Sequence, residues 1–247
     1  MKPDSGDAPG TGIESRGRES RSVPALSALA WYGEAMRLWK KGPAMFAALA
    51  SITLIVSIAF EPVPILGFMA SNVIAPLLAT GMIYASLAAD RGDQPRLKHV
   101  IAPFAAPVGA QAAVIAAGLV AFAAEAFSAW QLADANLFLP SRAAGSLPLQ
   151  VIVGIYVAGI AASLPLAFVP FAALFDGEPL RRAFATSARA FARNVPALAL
   201  YAGISLALLL MGLATMGVGL VLVLPWIAAA SYAAWKDIFG LGAPASN

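Results

Sequence analysis

Residues 170–196, PFAALFDGEPLRRAFATSARAFARNVP, lie between two long apolar runs at 151–175 and 197–216. The pattern predicts a helix with two faces. One face of the helical wheel collects Leu180, Ala183, Phe184, Ser187, Ala188, Phe191 and Val195, and the opposite face collects Arg182, Thr186, Arg189 and Arg193. Such a helix lies flat on a membrane, with its apolar side toward the acyl chains and its arginines toward the headgroups. We therefore expect Arg182, Arg189 and Arg193 to contact anionic lipid.

The composition indicates a protein embedded in a bilayer. Of the 247 residues, 60% are hydrophobic and 12% are charged, and the mean hydropathy is +0.78. Soluble domains carry about 25% charged residues. The charges here gather in short blocks and leave long uncharged runs that only a bilayer accommodates. The net charge of +3 does not indicate nucleic-acid binding, because the basic residues adjoin the apolar runs instead of forming a separate basic domain.

Six apolar runs predict an all-α bundle of six transmembrane helices with amphipathic helices on the cytoplasmic surface. The spans are expected at residues 44–60, 65–89, 108–127, 151–175, 197–216 and 220–235. Pro76, Pro165, Pro170 and Pro225 fall inside spans, where proline kinks a helix. The sequence predicts a disordered tail at residues 1–24, the membrane domain at 25–240 and a second short tail at 241–247. The first surface helix, at 25–39, has an apolar stripe of Leu29, Tyr32, Met36 and Trp39, with Trp31 and Leu38 off it.

The distribution of basic residues predicts the orientation. With six spans both termini lie on one side, and every Lys and Arg except Arg142 falls on that side. The positive-inside rule therefore places both termini in the cytoplasm.

The even-numbered spans end alike, which predicts an internal repeat. Their ends read YASLAADRG at 84–92, FAALFDG at 171–177 and YAAWKDIFG at 232–240: an aromatic residue, two small residues, a bulky apolar residue, then Asp and Gly. A proline lies six to eight residues before each aromatic. We predict three units, each a surface helix followed by a helical hairpin. The alternative is convergence, because any even-numbered span leaves the bilayer through aromatic residues and a polar turn.

The C-terminal part resembles a known family. The segments DGEP at 176–179, Leu224-Pro225 and YAAWKDIF at 232–239 resemble an uncharacterised family of proteobacterial multi-pass inner-membrane proteins that ends in a Tyr-x-x-aromatic-x-Asp-Ile-Phe signature. The likeness covers residues 40–240. It implies about six spans and a location in the bacterial inner membrane, and it implies no catalytic residues.

The residue types needed for most catalytic chemistry are scarce. The chain has no Cys and one His, so a thiol nucleophile and a multi-histidine metal site are excluded. Ser205, in a Gly-Ile-Ser segment of the fifth span, would need a histidine base, and His99 lies in a surface segment. We expect no catalytic, metal or cofactor site. Asn72, Gln111 and Glu125 are polar residues within spans, and they indicate either local hydrogen bonding or a polar path through the bundle.

These patterns favour a non-enzymatic accessory or scaffolding protein that acts through lipid or protein contacts. The alternative is a small transporter or channel component, because the proline kinks would let helices break around a substrate. The expected partners are the bilayer and its anionic headgroups. The sequence does not indicate a protein partner or an oligomeric state.

Overall fold

The computed structural model describes residues 19–59, 64–137 and 147–241, and every regular element in those ranges is helical. The all-α class is therefore confirmed. The longer helices are α1 Ser27–Trp39, α2 Pro43–Ala59, α3 Pro64–Met69, α4 Ala75–Asp90, α5 Val108–Ala133, α6 Leu149–Ser163, α7 Val169–Leu174, α8 Leu180–Arg193, α9 Val195–Ala214 and α10 Leu220–Ile238. The predicted tail residues 1–18 and 242–247, residues 60–63 between the first two predicted spans, and Arg142 lie outside the described residues.

Four stretches are long and apolar enough to cross a membrane: Leu66–Asp90, Val108–Ala133, Leu149–Leu174 and Val195–Ala214. They correspond to the predicted second, third, fourth and fifth spans. The pair α1 and α2, bent by 103°, passes the same test only when both helices are taken together. The described part of the chain thus contains four or five candidate spans. α10 is not among them, and its last turn carries Lys236 and Asp237.

Two of the prolines in the predicted spans lie at or near breaks in the helices. A π-helical turn, Ala70–Ile74, immediately precedes Pro76 and joins α3 to α4. A 3₁₀ turn, Leu164–Leu166, contains Pro165 and separates α6 from α7, where Pro170 lies in the first turn. Pro225 remains inside α10. Proline removes a backbone donor and clashes with the preceding turn, which explains why the helices change winding near Pro76 and Pro165.

Three helical hairpins form the bundle: α2 with α4, α5 with α6 and α7, and α9 with α10. Each hairpin also packs on the one before it in the chain, since α5 contacts α4 and α9 contacts α6. The first hairpin packs on the third, because α2 contacts α10. The three hairpins therefore close into a ring.

The segments that precede the hairpins follow the same order. α8 packs on α7, and the 3₁₀ turns Leu97–Val100 and Ala102–Ala105 pack on α4. α1 packs chiefly on α10, at the opposite end of the chain. Each of these segments therefore covers the last helix of the preceding hairpin, and α1 completes the ring.

An aromatic cluster joins the ends of α4, α7 and α10. It consists of Tyr84 in α4, Phe171 in α7, Phe175 directly after α7, and Tyr232 and Trp235 in α10. Phe171 stacks on Trp235 with ring centroids 5.2 Å apart, and Tyr84 meets Phe175 edge-on at 5.0 Å. Aromatic pairs at such distances add to the energy of burial. The cluster thus fastens all three hairpins together at one end.

Close approach of backbone to backbone fixes the segment between α4 and α5. Gly81 in α4 faces the Leu97–Val100 turn, and a Cβ there would lie 2.7 Å from the His99 carbonyl oxygen. Burial lowers the pKa of His99, so its imidazole is neutral at pH 7. Its Nδ1 accepts a hydrogen bond of 3.0 Å from the Arg96 N–H. His99 therefore has a structural role in this turn.

Replacing Gly81 by Ala is expected to destabilise the protein by about 1–3 kcal/mol, because the added methyl group meets backbone atoms that cannot move independently. Gly109→Ala is the matched control, since a Cβ there meets nothing within 4 Å. That variant should be neutral or slightly stabilising. Thermal unfolding of the purified protein in detergent, followed by circular dichroism, compares the two. Equal melting temperatures would contradict the packing described for Gly81.

Candidate functional site

α1 buries a different stripe from the one predicted. Trp31 and Leu38, placed off the apolar stripe by the sequence pattern, are buried, whereas Leu29 is 55% exposed. Met36 and Trp39 are half-buried, so of the predicted stripe only Tyr32 is buried. A helical wheel cannot tell which apolar side meets protein, and in this structure the side of α1 that carries Trp31 and Leu38 packs in the same buried cluster as α10.

Polar anchors hold α1 on the C-terminal hairpin. The Trp31 indole Nε1–H donates to Asp237 Oδ2 at 2.9 Å. The hydroxyls of Tyr32 and Ser205 are hydrogen-bonded at 2.7 Å, and the Tyr32 ring stacks on Tyr201. Trp226 Nε1–H donates to the Tyr32 carbonyl at 3.1 Å. Ser205 therefore serves helix packing in this structure.

The residues before α1 form a strap, residues 20–23, across the ends of α8 and α10. Arg193 Nη1 donates to the Ser20 carbonyl at 2.6 Å. The Asn194 side chain donates to the Arg21 carbonyl and accepts from the Val23 N–H. Arg21 pairs with Asp237 at 2.5 Å. Residues 20–23, which fall within the predicted tail 1–24, thus make specific contacts with α8 and α10.

An ion network joins α1, α4 and α10. It comprises Glu34, Arg37, Asp90, Tyr232 and Lys236. The Asp90 carboxylate lies 2.5 Å from Lys236 Nζ and 3.1 Å from Arg37 Nη2, and it accepts a 3.0 Å hydrogen bond from the Tyr232 hydroxyl. Arg37 also binds Glu34, and this hydrogen bond lowers the pKa of the Glu34 carboxyl. Glu34 is therefore an anion at neutral pH.

A groove of about 380 Å³ runs between α1 and α10 beside this network. Its volume falls within the range of small-molecule sites. Both signs of charge face it. The lining residues are Arg21, Ala30, Trp31, Glu34, Ala233, Lys236 and Asp237.

α8 has three sides rather than the two predicted. Its buried side packs on the bundle and contains Ala183, Thr186, Ser187 and Ala190. Thr186, which the wheel placed with the arginines, is buried and donates to Glu178 Oε2 at 2.9 Å. The Ser187 hydroxyl donates to the Pro165 carbonyl at 2.8 Å and accepts from the Phe168 N–H at 3.0 Å. Small polar residues thus dock α8 on the 3₁₀ break of the fourth span.

The other two sides of α8 are open. The exposed or half-buried apolar residues are Leu180, Phe184, Ala188 and Phe191, with Val195 at the start of α9. The third side carries the arginines. Arg182 and Arg189 are exposed, and Arg189 donates to the Ala185 carbonyl one turn earlier. The remaining predicted lipid contact, Arg193, binds the strap.

The described hydrogen bonds of Asn72 and Gln111 are local, and Gln111 lies far from Glu125 along α5. Asn72 lies in the π-helical turn and donates to the Phe68 carbonyl of its own helix at 3.2 Å. Gln111 donates to the carbonyls of Phe104 and Ala106, before α5. Glu125 packs against Gly159 of α6. Gln111 and Glu125 are separated by about 21 Å of helix rise.

The third span is longer than predicted, which changes the position of Glu125. α5 continues to Ala133 instead of ending at residue 127. Glu125 therefore lies about 12 Å of helix rise before the end of α5, not beside it. The apolar residues after Phe127, including Trp130, extend the helix although the sequence pattern suggested a loop.

The sequence did not predict most of the residues that line the groove or form the ion network. Glu34, Arg37 and Lys236 are ordinary charges at a membrane boundary, and no local pattern shows that they meet. A partial signal was present, because Asp90 and Asp237 are the aspartates of two repeated span endings. Their regular recurrence at helix ends could have suggested that they bind partners instead of only forming turns.

The described residues contain no group of three or more His, Cys, Asp or Glu side chains placed to hold a metal ion. Comparisons with protein-family models, with curated proteins and with solved structures found no match.

Replacing Asp90 by Asn is expected to lower the free energy of unfolding by about 2 kcal/mol. Lys236 and Arg37 then lose the carboxylate that they share, and the Asp90 side chain is only 17% exposed. Asp93→Asn, in the exposed turn that follows, should change it by no more than about 0.5 kcal/mol. Chemical unfolding in mixed micelles measures both. Lys236→Met should cost less in the Asp90→Asn background than alone, and strict additivity would contradict the network.

Proposed function

We propose that this chain is a six-span protein of the bacterial inner membrane, with both termini in the cytoplasm. It serves as a non-enzymatic accessory or scaffolding protein that acts through lipid and protein contacts. The four or five long apolar stretches support a membrane location. α10 supplies the sixth span, with its polar last turn at the headgroup level, where Trp, Tyr and Lys are favoured.

One observation carries the proposal: the three-sided surface of α8. A helix in a soluble protein has a buried side and a polar side. α8 has in addition an open apolar side, centred on Leu180, Phe184 and Val195, between the bundle and the arginines. This arrangement suits a helix at the bilayer boundary, with protein on one side, acyl chains on the second and headgroups on the third. Anionic lipid is then the partner for Arg182 and Arg189.

The closed order of the hairpins supports three repeated units, each a surface segment followed by a hairpin. Each surface segment covers the last helix of the preceding unit, and this relation holds for all three units, including α1 on α10. The repeated span endings also meet in the aromatic cluster. Convergence of unrelated exit sequences would not by itself produce the same neighbour relation three times. The resemblance to the inner-membrane family adds the expected location.

The transporter or channel alternative rests on the helix breaks at Ala70–Ile74 and Leu164–Leu166, since transporters build sites at such breaks. The local hydrogen bonds of Asn72 and Gln111, and the separation of Gln111 from Glu125 by about 21 Å of helix rise, favour the accessory role. This preference would reverse if the protein carried a solute into proteoliposomes and Asn72→Ala abolished that flux.

The topology predicts that alkaline phosphatase fused after Gly92 or after Asp176 is inactive, because both positions lie in the cytoplasm. A fusion after Asn136 should be active and serves as the matched control, since that residue follows α5 on the opposite side. Enzyme activity in intact cells, normalised to the amount of fusion protein, measures the outcome. Activity after Gly92 or Asp176 would contradict the six-span arrangement.

Replacing both Arg182 and Arg189 by Ala is expected to reduce the enrichment of phosphatidylglycerol around the full chain about 30-fold. Each arginine near an anionic surface contributes about 1 kcal/mol. Mass spectrometry of lipids retained after detergent extraction gives the enrichment. The Arg182→Lys/Arg189→Lys variant should keep most of it. The charge-matched pair Arg91→Ala/Arg96→Ala should have the smaller effect, and an equal effect would remove the special role of α8.

A further inference from the structure

We infer that the groove between α1 and α10 binds the headgroup of a phospholipid that carries a primary amine, of the phosphatidylethanolamine type. The inference rests on the proposed membrane location and adds a second lipid site of different chemistry from α8.

The charges in the groove match a zwitterion. Arg21 supplies a guanidinium with five N–H donors, of which its described side-chain bonds to Asp237 use two. Lys236 supplies an ammonium from the facing helix. These two cations can hold a phosphate. Glu34 supplies the carboxylate for an amine, and it lines the same groove as Lys236. A headgroup that joins a phosphate to an ammonium therefore finds both partners in one groove.

The lining also distinguishes between amines. The Trp31 ring is only 2% exposed, so it offers no aromatic face to a quaternary ammonium. A carboxylate instead accepts N–H hydrogen bonds, which a primary ammonium makes and a trimethylammonium cannot make. Glu34 thus favours ethanolamine over choline. A headgroup without an amine, such as glycerol, would leave Glu34 with no cation from the ligand.

The surroundings of the groove accommodate the rest of a lipid. It lies at the last turn of α10, beside the end of α4, where spans leave the bilayer. The adjacent outer side of α1 exposes Leu26 at 69% and Leu29 at 55%, and Ala30 on the same side lines the groove. Acyl chains can therefore lie along α1 while the headgroup occupies the groove.

The test uses the full chain in detergent with equal amounts of dioleoyl phosphatidylethanolamine and dioleoyl phosphatidylcholine, and native mass spectrometry counts each bound lipid. We expect the wild type to favour the ethanolamine lipid. Glu34→Gln should lower this preference about tenfold, as expected for the loss of one charge-assisted hydrogen bond. Glu19→Gln, an exposed carboxylate outside the groove, should leave it unchanged. Equal binding of both lipids by the wild type, or an unchanged preference in Glu34→Gln, would overturn the inference.

A second variant keeps the test independent of the ion network. Ala30→Phe fills the groove without changing a charge, and it should also reduce binding of the ethanolamine lipid. Displacement of the lipid by an equal concentration of free phosphoethanolamine would assign the groove to a soluble ligand and overturn the lipid assignment. Failure of the proposed function would appear elsewhere, as unchanged phosphatidylglycerol enrichment in Arg182→Ala/Arg189→Ala.

Discussion

The contact between the first helix and the last one is the constraint on which the rest of the bundle depends. α1 has most of its packing on α10, and the strap adds backbone and side-chain hydrogen bonds to the ends of α8 and α10. Together with the direct packing of α2 on α10, this contact joins the first hairpin to the third. Every hairpin then has a neighbour on both sides. Within a bilayer, where apolar contact with lipid competes with apolar contact between helices, such polar and closely packed contacts decide which helices associate.

The chemistry of this contact explains why charges are tolerated so near the apolar runs. Asp90 is shared by Lys236, Arg37 and Tyr232, and Asp237 is shared by Arg21 and Trp31. A half-buried carboxylate without partners would be costly, whereas one with several donors is stable as an anion. The network therefore has two effects. It gives partners to the charges at the helix ends, and it fixes the order of the hairpins.

The sequence was sufficient to predict helices and insufficient to predict which sides meet. Apolar runs located the four candidate spans, and prolines located the breaks near Pro76 and Pro165, because these depend on local hydropathy and backbone geometry. The buried side of α1 and the burial of Thr186 depend on partners far along the chain. A wheel ranks residues by polarity alone. Trp31 is buried because Asp237 accepts its N–H, and Thr186 is buried because Glu178 accepts its hydroxyl. Neither pairing has a sequence signal in its own helix.

The three proposed units share an arrangement but differ in the chemistry of their junctions. α8 docks on its predecessor through the Ser187 hydroxyl and small residues, and the Leu97–Val100 turn docks on α4 through close backbone contact at Gly81. Both junctions are tightly packed. At the third junction, α1 meets α10 through buried alanines, including Ala28, Ala35 and Ala229, and through charged and aromatic side chains on the side of the groove. Small residues are therefore common to all three proposed junctions, and the third differs by the charged groove beside them.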